Sequence, residues 1–498
     1  MRRALTVAAL GLTLAIAGCG GGSEGGNALD NALGYVPADS PFVATIGTDV
    51  EGSQIKSIQK LVDRFPFSGQ VRSQLEQALT QVDLDFENDV KPALGNEFVV
   101  GALDAKSFTA DDADPRVVGA IQAEDKDALQ TLLEKSNARE VGEKDGAKVY
   151  SASDDSAVAV EDDTFLIANS REDLEAAIER HDGDDHMTRD RFDEALDGLP
   201  EDALLRTFFD VRQLLDTDPD TEDARKVEYV SAIRDFGMTA SFADDAMDVD
   251  FRLGTEGESL EDADLPFATG EESPPVIEAD GEVGFGLRDP AQIFRFGETS
   301  GQAIDPAGFG QYETGKRTIE RQLDVSIEDD LLAQLTGDVS ATTSIDGEFG
   351  VRSELADAPA FRRTLARIAR ELPRLGGGAL GEIVPPKGGD GLYSLAAGDG
   401  LRIFFGVVGE SFVLANDQAK AQSVSDAPTA EVQGAQGAIT VRADAQQVAT
   451  RAIQAFGGAS ALGGAIGGSL FTGPLGELTG SMAAEPDAVT GNVHLTFD

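Results

Sequence analysis

The stretch VDLDFENDVKPALGNEF at residues 82–98 returns as LDVSIEDDLLAQLTGDV at 323–339. No other feature of the chain restricts its fold as strongly. Asp83 matches Asp324, Phe86 matches Ile327, Glu87 matches Glu328, Asp89 matches Asp330 and Leu94 matches Leu335. TFLIANS at 164–170 then matches SFVLAND at 411–417, and FFDVRQLL at 208–215 matches RADAQQVA at 442–449, keeping Asp210 with Asp444 and Gln213 with Gln447. Both halves close on an alternating strand, with Val249, Phe251 and Leu253 answering Val493, Leu495 and Phe497. The order is conserved at a separation of roughly 240 residues, far longer than the short units of solenoids. The expected organisation is two similar copies of about 220 residues each, 34–256 and 278–498. An acidic stretch with Pro274-Pro275, residues 257–277, reads as the linker between them.

Within a copy, strand and helix patterns alternate. PFVATIGTD (41–49) and RVVGAIQAE (116–124) have the β-branched alternation of strands. DKDALQTLLEK places Ala128, Leu129, Leu132 and Leu133 on one helical face. Ser170 and Asp173 form a capping box ahead of a helix whose buried stripe is Leu174, Ala177 and Ile178, and Asn416-Asp417 occupy the same start in the second copy. The segment 237–253 reads as an antiparallel hairpin. The fold class that follows is α+β, each copy a mixed or antiparallel sheet with helices packed on it.

The start of the chain speaks for location. Arg2 and Arg3 precede an uncharged apolar run, Ala4 to Ala17, too short for the ~20 residues of a membrane-spanning helix. It has the form of a secretory signal, 1–18, and is excluded from the fold. Ile16-Ala17-Gly18-Cys19 resembles a bacterial lipobox, with cleavage after Gly18 and acylation (palmitate among the chains) at Cys19, the only cysteine. Two or more acyl chains, at ~0.8 kcal/mol per buried methylene, make a lasting anchor. Residues 19–33 then read as the lipidated Cys and a flexible tether. The expected location is the extracytoplasmic face of the cell membrane.

A formal charge of −50, from 90 acidic and 40 basic residues, repels nucleic acid and anionic head groups. The membrane partner is therefore reached through lipid and not through a basic surface. Absence of Trp and a count of 5 Tyr argue against an aromatic platform for sugars.

Candidate chemistry is sparse. HDGDDH sets His181 and His186 around Asp182, Asp184 and Asp185, but the second copy has no equivalent, and the stretch reads as a solvated loop, with no metal site expected. His494 alternates with apolar neighbours in the last strand and reads as an exposed or edge residue. DTDPDTEDARKVE (216–228) imitates a calcium loop, yet has Thr221 at the glycine position and Val227 at the bidentate glutamate position. GQYETGKR (310–317) imitates a phosphate loop with Arg317 where a hydroxyl is needed, and reads as a helix starting at Gly310. No cofactor is expected. The retained carboxylates Asp83, Glu87 and Asp89, with Asp324, Glu328 and Asp330, could serve a hydrolase, but they also suit acidic helix starts. The segment 456–476, apolar and Gly-rich, could pack against the other half, a membrane or a hydrophobic ligand.

GYVPADSPFVATIGTD at 34–49 resembles the opening of a family of bacterial secreted proteins catalogued as domain of unknown function 3352, through Pro37-Ala38-Asp39 and the strand that follows. The resemblance brings no catalytic residues with it. The second copy reads IEADGEVGFGLRD there and lacks the Pro-Ala-Asp turn. The expected function is a non-enzymatic binding or scaffold protein of the cell envelope, with an unidentified protein or hydrophobic partner. The alternatives are a carrier holding a lipid between the copies and, behind it, a carboxylate-dependent hydrolase.

Overall fold

A computed structural model describes residues 25–498 except 82, 110–114, 136–138, 152–155, 258–259, 279–281, 336, 376–382, 387–390, 397–400 and 457–471. Gly18, Cys19, the leader before them and most of the Gly-rich segment 456–476 lie outside the described residues. The chain divides into two compact units. One holds residues up to Glu222 together with Ile233–Thr255, the other Asp223–Ala232 together with Glu256–Phe497. Both are antiparallel sheets carrying helices. Among the described residues no helix is long and apolar enough to cross a membrane.

The first unit contains β1 (Phe42–Gly47), β2 (Glu97–Ala102), β3 (Val117–Gln122), β4 (Arg139–Lys144), β5 (Ala147–Ser151), β6 (Ala157–Glu161), β7 (Thr164–Ala168), β8 (Leu205–Phe209), β9 (Ile233–Phe242) and β10 (Ala246–Thr255). Their order across the sheet is β4-β5-β6-β7-β3-β2-β1-β8-β9-β10. The core gathers Val43, Val99, Val118, Leu166 and Phe208 from the strands, with Leu174, Ala177 and Ile178 from the helix Arg171–His181. That helix opens as the sequence predicts, Ser170 accepting from the Asp173 amide.

Residues 25–33, read from sequence as part of a flexible tether, are instead the helix Gly25–Leu33. Leu29, Ala32 and Leu33 belong to the main core. Apolar residues spaced four apart give the helix one buried face, and burial outweighs the glycines at its start.

The second unit contains β11 (Val276–Ile277), β12 (Val283–Leu287), β13 (Val339–Thr343), β14 (Phe349–Glu354), β15 (Ile383–Val384), β16 (Tyr393–Ala396), β17 (Arg402–Val408), β18 (Ser411–Ala415), β19 (Thr429–Ala430), β20 (Ile439–Asp444), β21 (Leu475–Glu485) and β22 (Ala488–Phe497). Its main sheet runs β15-β16-β17-β18-β14-β13-β12-β20-β21-β22, and β11 pairs with β19. Part of the stretch read as a linker is therefore structure: Val276 and Ile277 form a buried strand, and Leu260 and Leu265 are buried as well. Two prolines mark where a strand begins here, not a loose connection. GQYETGKR likewise lies inside a helix, Pro306–Leu323, which starts at Pro306 behind the Asp305 cap and not at Gly310.

A single row of ladder partners crosses each sheet. In the first unit it runs Ala168, Val118, Gly101, Val43, Phe208, Gly237, Arg252. In the second it runs Ala415, Gly350, Thr342, Gly284, Arg442, Thr479, His494. The sequence matches 164–170 with 411–417 and 208–215 with 442–449 fall on this row in register. The closing strands differ from the sequence reading by two residues, Phe251 lying opposite Gly237's neighbour Met238 as Val493 lies opposite Gly480.

Candidate functional site

The retained acidic stretches are capped turns in both units. Asp83 and Asp324 each adopt a left-handed backbone, φ 57° and 52°. Each is followed by a π turn, Phe86–Val90 and Ile327–Leu331, and then a 3-10 turn. Asp89 Oδ2 accepts from the Asp85 amide at 2.8 Å while Asp85 accepts from the Asn88 amide at 2.9 Å. Asp330 Oδ2 accepts from the Ser326 amide at 2.9 Å while Ser326 accepts from the Asp329 amide at 3.0 Å. This reciprocal satisfaction of free backbone donors is the work of a capping box. Lys135 also binds Asp89, and its hydrogen bond, then the Asp85 amide, hold that carboxyl below the usual range. Glu87 meets Lys91, Glu328 meets Lys316, and Asp324 meets Arg367. Five of the six carboxylates serve these caps and ion pairs, Asp83 contributes its left-handed backbone, and among the described residues they do not converge on a common point within either unit.

A different cluster forms under the opening phrase GYVPADS. The helix Gly25–Leu33 delivers Gly34 and Tyr35 onto the end of the helix Arg171–His181. Tyr35 is only 1% exposed, and its ring stacks on the His181 imidazole with centroids 4.1 Å apart and planes 4° apart. Gly34 makes the stack possible, because a Cβ there would lie 2.7 Å from His181 Cδ2. The Tyr35 hydroxyl donates to Glu161 Oε2 at 2.8 Å, and Arg180 donates to the Tyr35 carbonyl at 2.9 Å. Burial, then the bond to Glu161, push the Tyr35 phenol well above its ordinary value. Asn31 donates to Thr164 Oγ1 at 2.8 Å and lies 2.9 Å from His181 Nε2 through its carbonyl oxygen. The other ring nitrogen, Nδ1, faces Glu161 Oε2 at 4.0 Å. Asp182, the residue that ends the helix, adds an exposed carboxylate; ligand atoms of Glu161, His181 and Asp182 lie within 4.8 Å of one another.

His181 is thus part of a helix and stacked, not within the solvated loop read from HDGDDH. His186 remains outside the cluster, half-buried, its Nδ1 at 3.0 Å from the Gly183 carbonyl. Asp184 and Asp185 are exposed beside it. The sequence could not pair His181 with Glu161 and Asn31, because tertiary packing makes the meeting, across 150 residues in the case of Asn31. His494 lies in β22, partly buried, on the row position that Arg252 takes in the first unit.

The Pro37-Ala38-Asp39 turn is built into the same face. Ser40 donates from its amide to the Pro37 carbonyl at 3.0 Å and from its hydroxyl to the Ala102 carbonyl at 2.7 Å. Gln213 holds the Asp39 carbonyl at 2.9 Å. Gln447, its match, turns back to Asp444 at 2.7 Å instead. Among the described residues the cluster has no counterpart in the second unit. Val408 pairs with Ser411 at the hairpin position where Glu161 pairs with Thr164. The helix Gln418–Asp426 leads almost directly into β19, with no histidine at its end.

Comparison with known proteins adds little detail. No curated protein matches the chain. Two solved structures, described as "Structure of crystal form III of TP0453" and "Structure of crystal form I of TP0453", align at 7% and 8% identity. They cover 46% and 48% of this chain and 82% and 88% of theirs, with TM-scores of 0.27 and 0.26. Scores so low transfer neither fold nor function. The family described as Protein of unknown function (DUF3352) matches residues 4–250, a span that holds the Pro-Ala-Asp turn and the whole Tyr35–His181–Glu161 cluster, and this part of the chain belongs to that family.

Proposed function

We infer that the protein is a lipid-anchored, extracytoplasmic binding or scaffold protein of the bacterial cell envelope, built from two divergent copies of one α+β fold. The observation that carries the anchoring is Ile16-Ala17-Gly18-Cys19 standing just ahead of a helix that is buried in the first core. Residues 20–24 span at most about 18 Å when fully extended, so the lipid would hold the folded body against the bilayer and not on a long leash. The acidic surface repels anionic head groups and keeps the body in the aqueous layer.

The duplication rests on the common strand order and on the single row of ladder partners that unites the sequence matches. Register in a sheet is sensitive to a one-residue slip, so agreement along seven positions supports common descent more strongly than composition does. The positions kept between the copies serve caps and strands, which favours a scaffold role over shared chemistry.

The carrier reading keeps one support. Ile293, Ile304, Tyr312 and Ile319, on the helices Pro290–Ile304 and Pro306–Leu323, are exposed apolar side chains. Native mass spectrometry of the protein after exposure to an envelope extract would reveal a solvent-extractable added mass if they receive a lipid.

Metabolic labelling with a radioactive or clickable palmitate tests the anchor. The wild-type chain should take up label and partition into detergent, and Cys19→Ala should lose both. Label retained in Cys19→Ala, or none in the wild type, would overturn the reading.

A further inference from the structure

We propose that Glu161, His181 and Asp182 bind one divalent transition-metal ion, with Asn31 and Tyr35 as positioning residues. The site goes beyond the anchoring reading and does not depend on it.

The first argument is the tautomer. Asn31 uses its amide nitrogen on Thr164, so the oxygen 2.9 Å from His181 Nε2 must accept. Nε2 therefore carries the hydrogen, and the lone pair of the neutral imidazole sits on Nδ1. That lone pair faces Glu161 Oε2 at 4.0 Å, too far for a hydrogen bond. Two electron-rich atoms 4.0 Å apart oppose one another, and a cation between them turns the opposition into ligation.

The second argument is orientation. A ligating histidine ordinarily donates its other ring nitrogen to a fixed acceptor, and a ligating carboxylate is itself hydrogen-bonded. Asn31 supplies the first and the Tyr35 hydroxyl supplies the second, at 2.9 Å and 2.8 Å. Stacking on Tyr35 fixes the plane of the imidazole. Asp182 brings a third donor from the end of an 11-residue helix, where the negative dipole end favours a positive charge.

The third argument is the second unit, which builds the same hairpin with Val408 in place of Glu161. The scaffold does not require a carboxylate there, and partly burying one costs desolvation. The cost is explained if the carboxylate has a ligand.

One imidazole nitrogen with two carboxylates suits zinc-like ions better than calcium or magnesium, which prefer all-oxygen shells. Bond lengths of about 2.0–2.2 Å put tetrahedral ligand atoms roughly 3.5 Å apart. The three groups lie within 4.8 Å, and Asp182, on the surface, is free to rotate inward.

The test uses the full chain with Cys19→Ala, so that no thiol competes. The chelator-stripped protein is titrated with Zn²⁺ in excess Mg²⁺, which occupies weak sites on the acidic surface. One ion per chain should bind, with an imidazole nitrogen in its first shell by X-ray absorption. Asp182→Asn and Glu161→Gln should each weaken binding at least about tenfold, His181→Gln about a hundredfold, and Tyr35→Phe about tenfold. Asp182→Asn changes only a surface group, so its melting temperature without metal should match the parent and separate lost binding from lost folding. Absence of a stoichiometric site under Mg²⁺, or equal Zn²⁺ affinity in the parent, Asp182→Asn and Glu161→Gln, would overturn the proposal.

Discussion

Beneath Val36 the first unit has Gly101, whereas the same ladder position in the second has Thr342. A Cβ at Gly101 would lie 2.3 Å from Val36 Cγ1, so the gap is what lets the opening segment settle on the sheet. The second unit places its gaps elsewhere. Gly350 stands where the first has Val118, and its Cβ would lie 2.4 Å from Val424 of the helix Gln418–Asp426. Gly284 stands where the first has Val43, and its Cβ would lie 2.8 Å from the Ile277 carbonyl of β11. Hydrogen bonding fixes the row, and the filling of the face above it is negotiable. Two sheets can keep the same strand order while one builds a polar cluster on its face and the other fills that face with apolar contacts.

The strongest way to break this comparison is to exchange row residues. Gly101→Thr should destabilise the chain by about 3 kcal/mol, because Val36 and the core behind it cannot yield cheaply. Thr342→Gly should cost only about 1 kcal/mol, the backbone entropy of a glycine in a strand. Denaturant melts read both, and equal losses would mean that the two faces are packed alike.

Tyr35→Phe sharpens the contrast from the polar side. Losing the hydroxyl on the Glu161 carboxylate should cost about 2 kcal/mol, whereas Val408 takes the Glu161 position in the second unit and accepts no such bond through its side chain. The sign with pH follows from the raised phenol. The neutral form is favoured in the folded state, so its contribution is complete below the ordinary value of 10.0 and is lost progressively as pH rises above it. Alkaline melts of the wild type should therefore steepen above that value, and those of Tyr35→Phe should steepen less.

The matched caps should show the smallest difference. Asp330→Ala should cost about 1 kcal/mol, as loss of a cap does. Asp89→Ala should cost more, because it also removes the hydrogen bond from Lys135. Thermal melts of the two variants would contradict this if Asp330→Ala proved the more damaging.

Local features were legible from sequence and non-local ones were not. Ser170 and Asp417 cap helices as their short polar side chains predict, and the strands 42–47 and 164–168 lie where alternation or apolar runs place them. The helix Gly25–Leu33 was hidden because its propensity is poor and only the core stabilises it. β11 was hidden because two residues after Pro-Pro carry no period. The left-handed Asp83 and Asp324 were matched as acids, but their backbone role needs the turn that follows them. The Tyr35–His181–Glu161 cluster was least legible of all: its members come from three elements, and only packing brings them together.

The common register inferred for the two sheets is most directly tested by paired disulfides, since the Cys19→Ala chain contains no other cysteine. Ladder partners sit within the Cα separation a disulfide needs. Ile121→Cys with Phe165→Cys, and Ser353→Cys with Phe412→Cys, should both crosslink on mild oxidation, seen by peptide mapping, because both pairs are direct partners. Phe412→Cys with Arg352→Cys, slipped by one residue, should not. Crosslinking of the slipped pair, with failure of the direct one, would show that the second sheet does not repeat the register of the first.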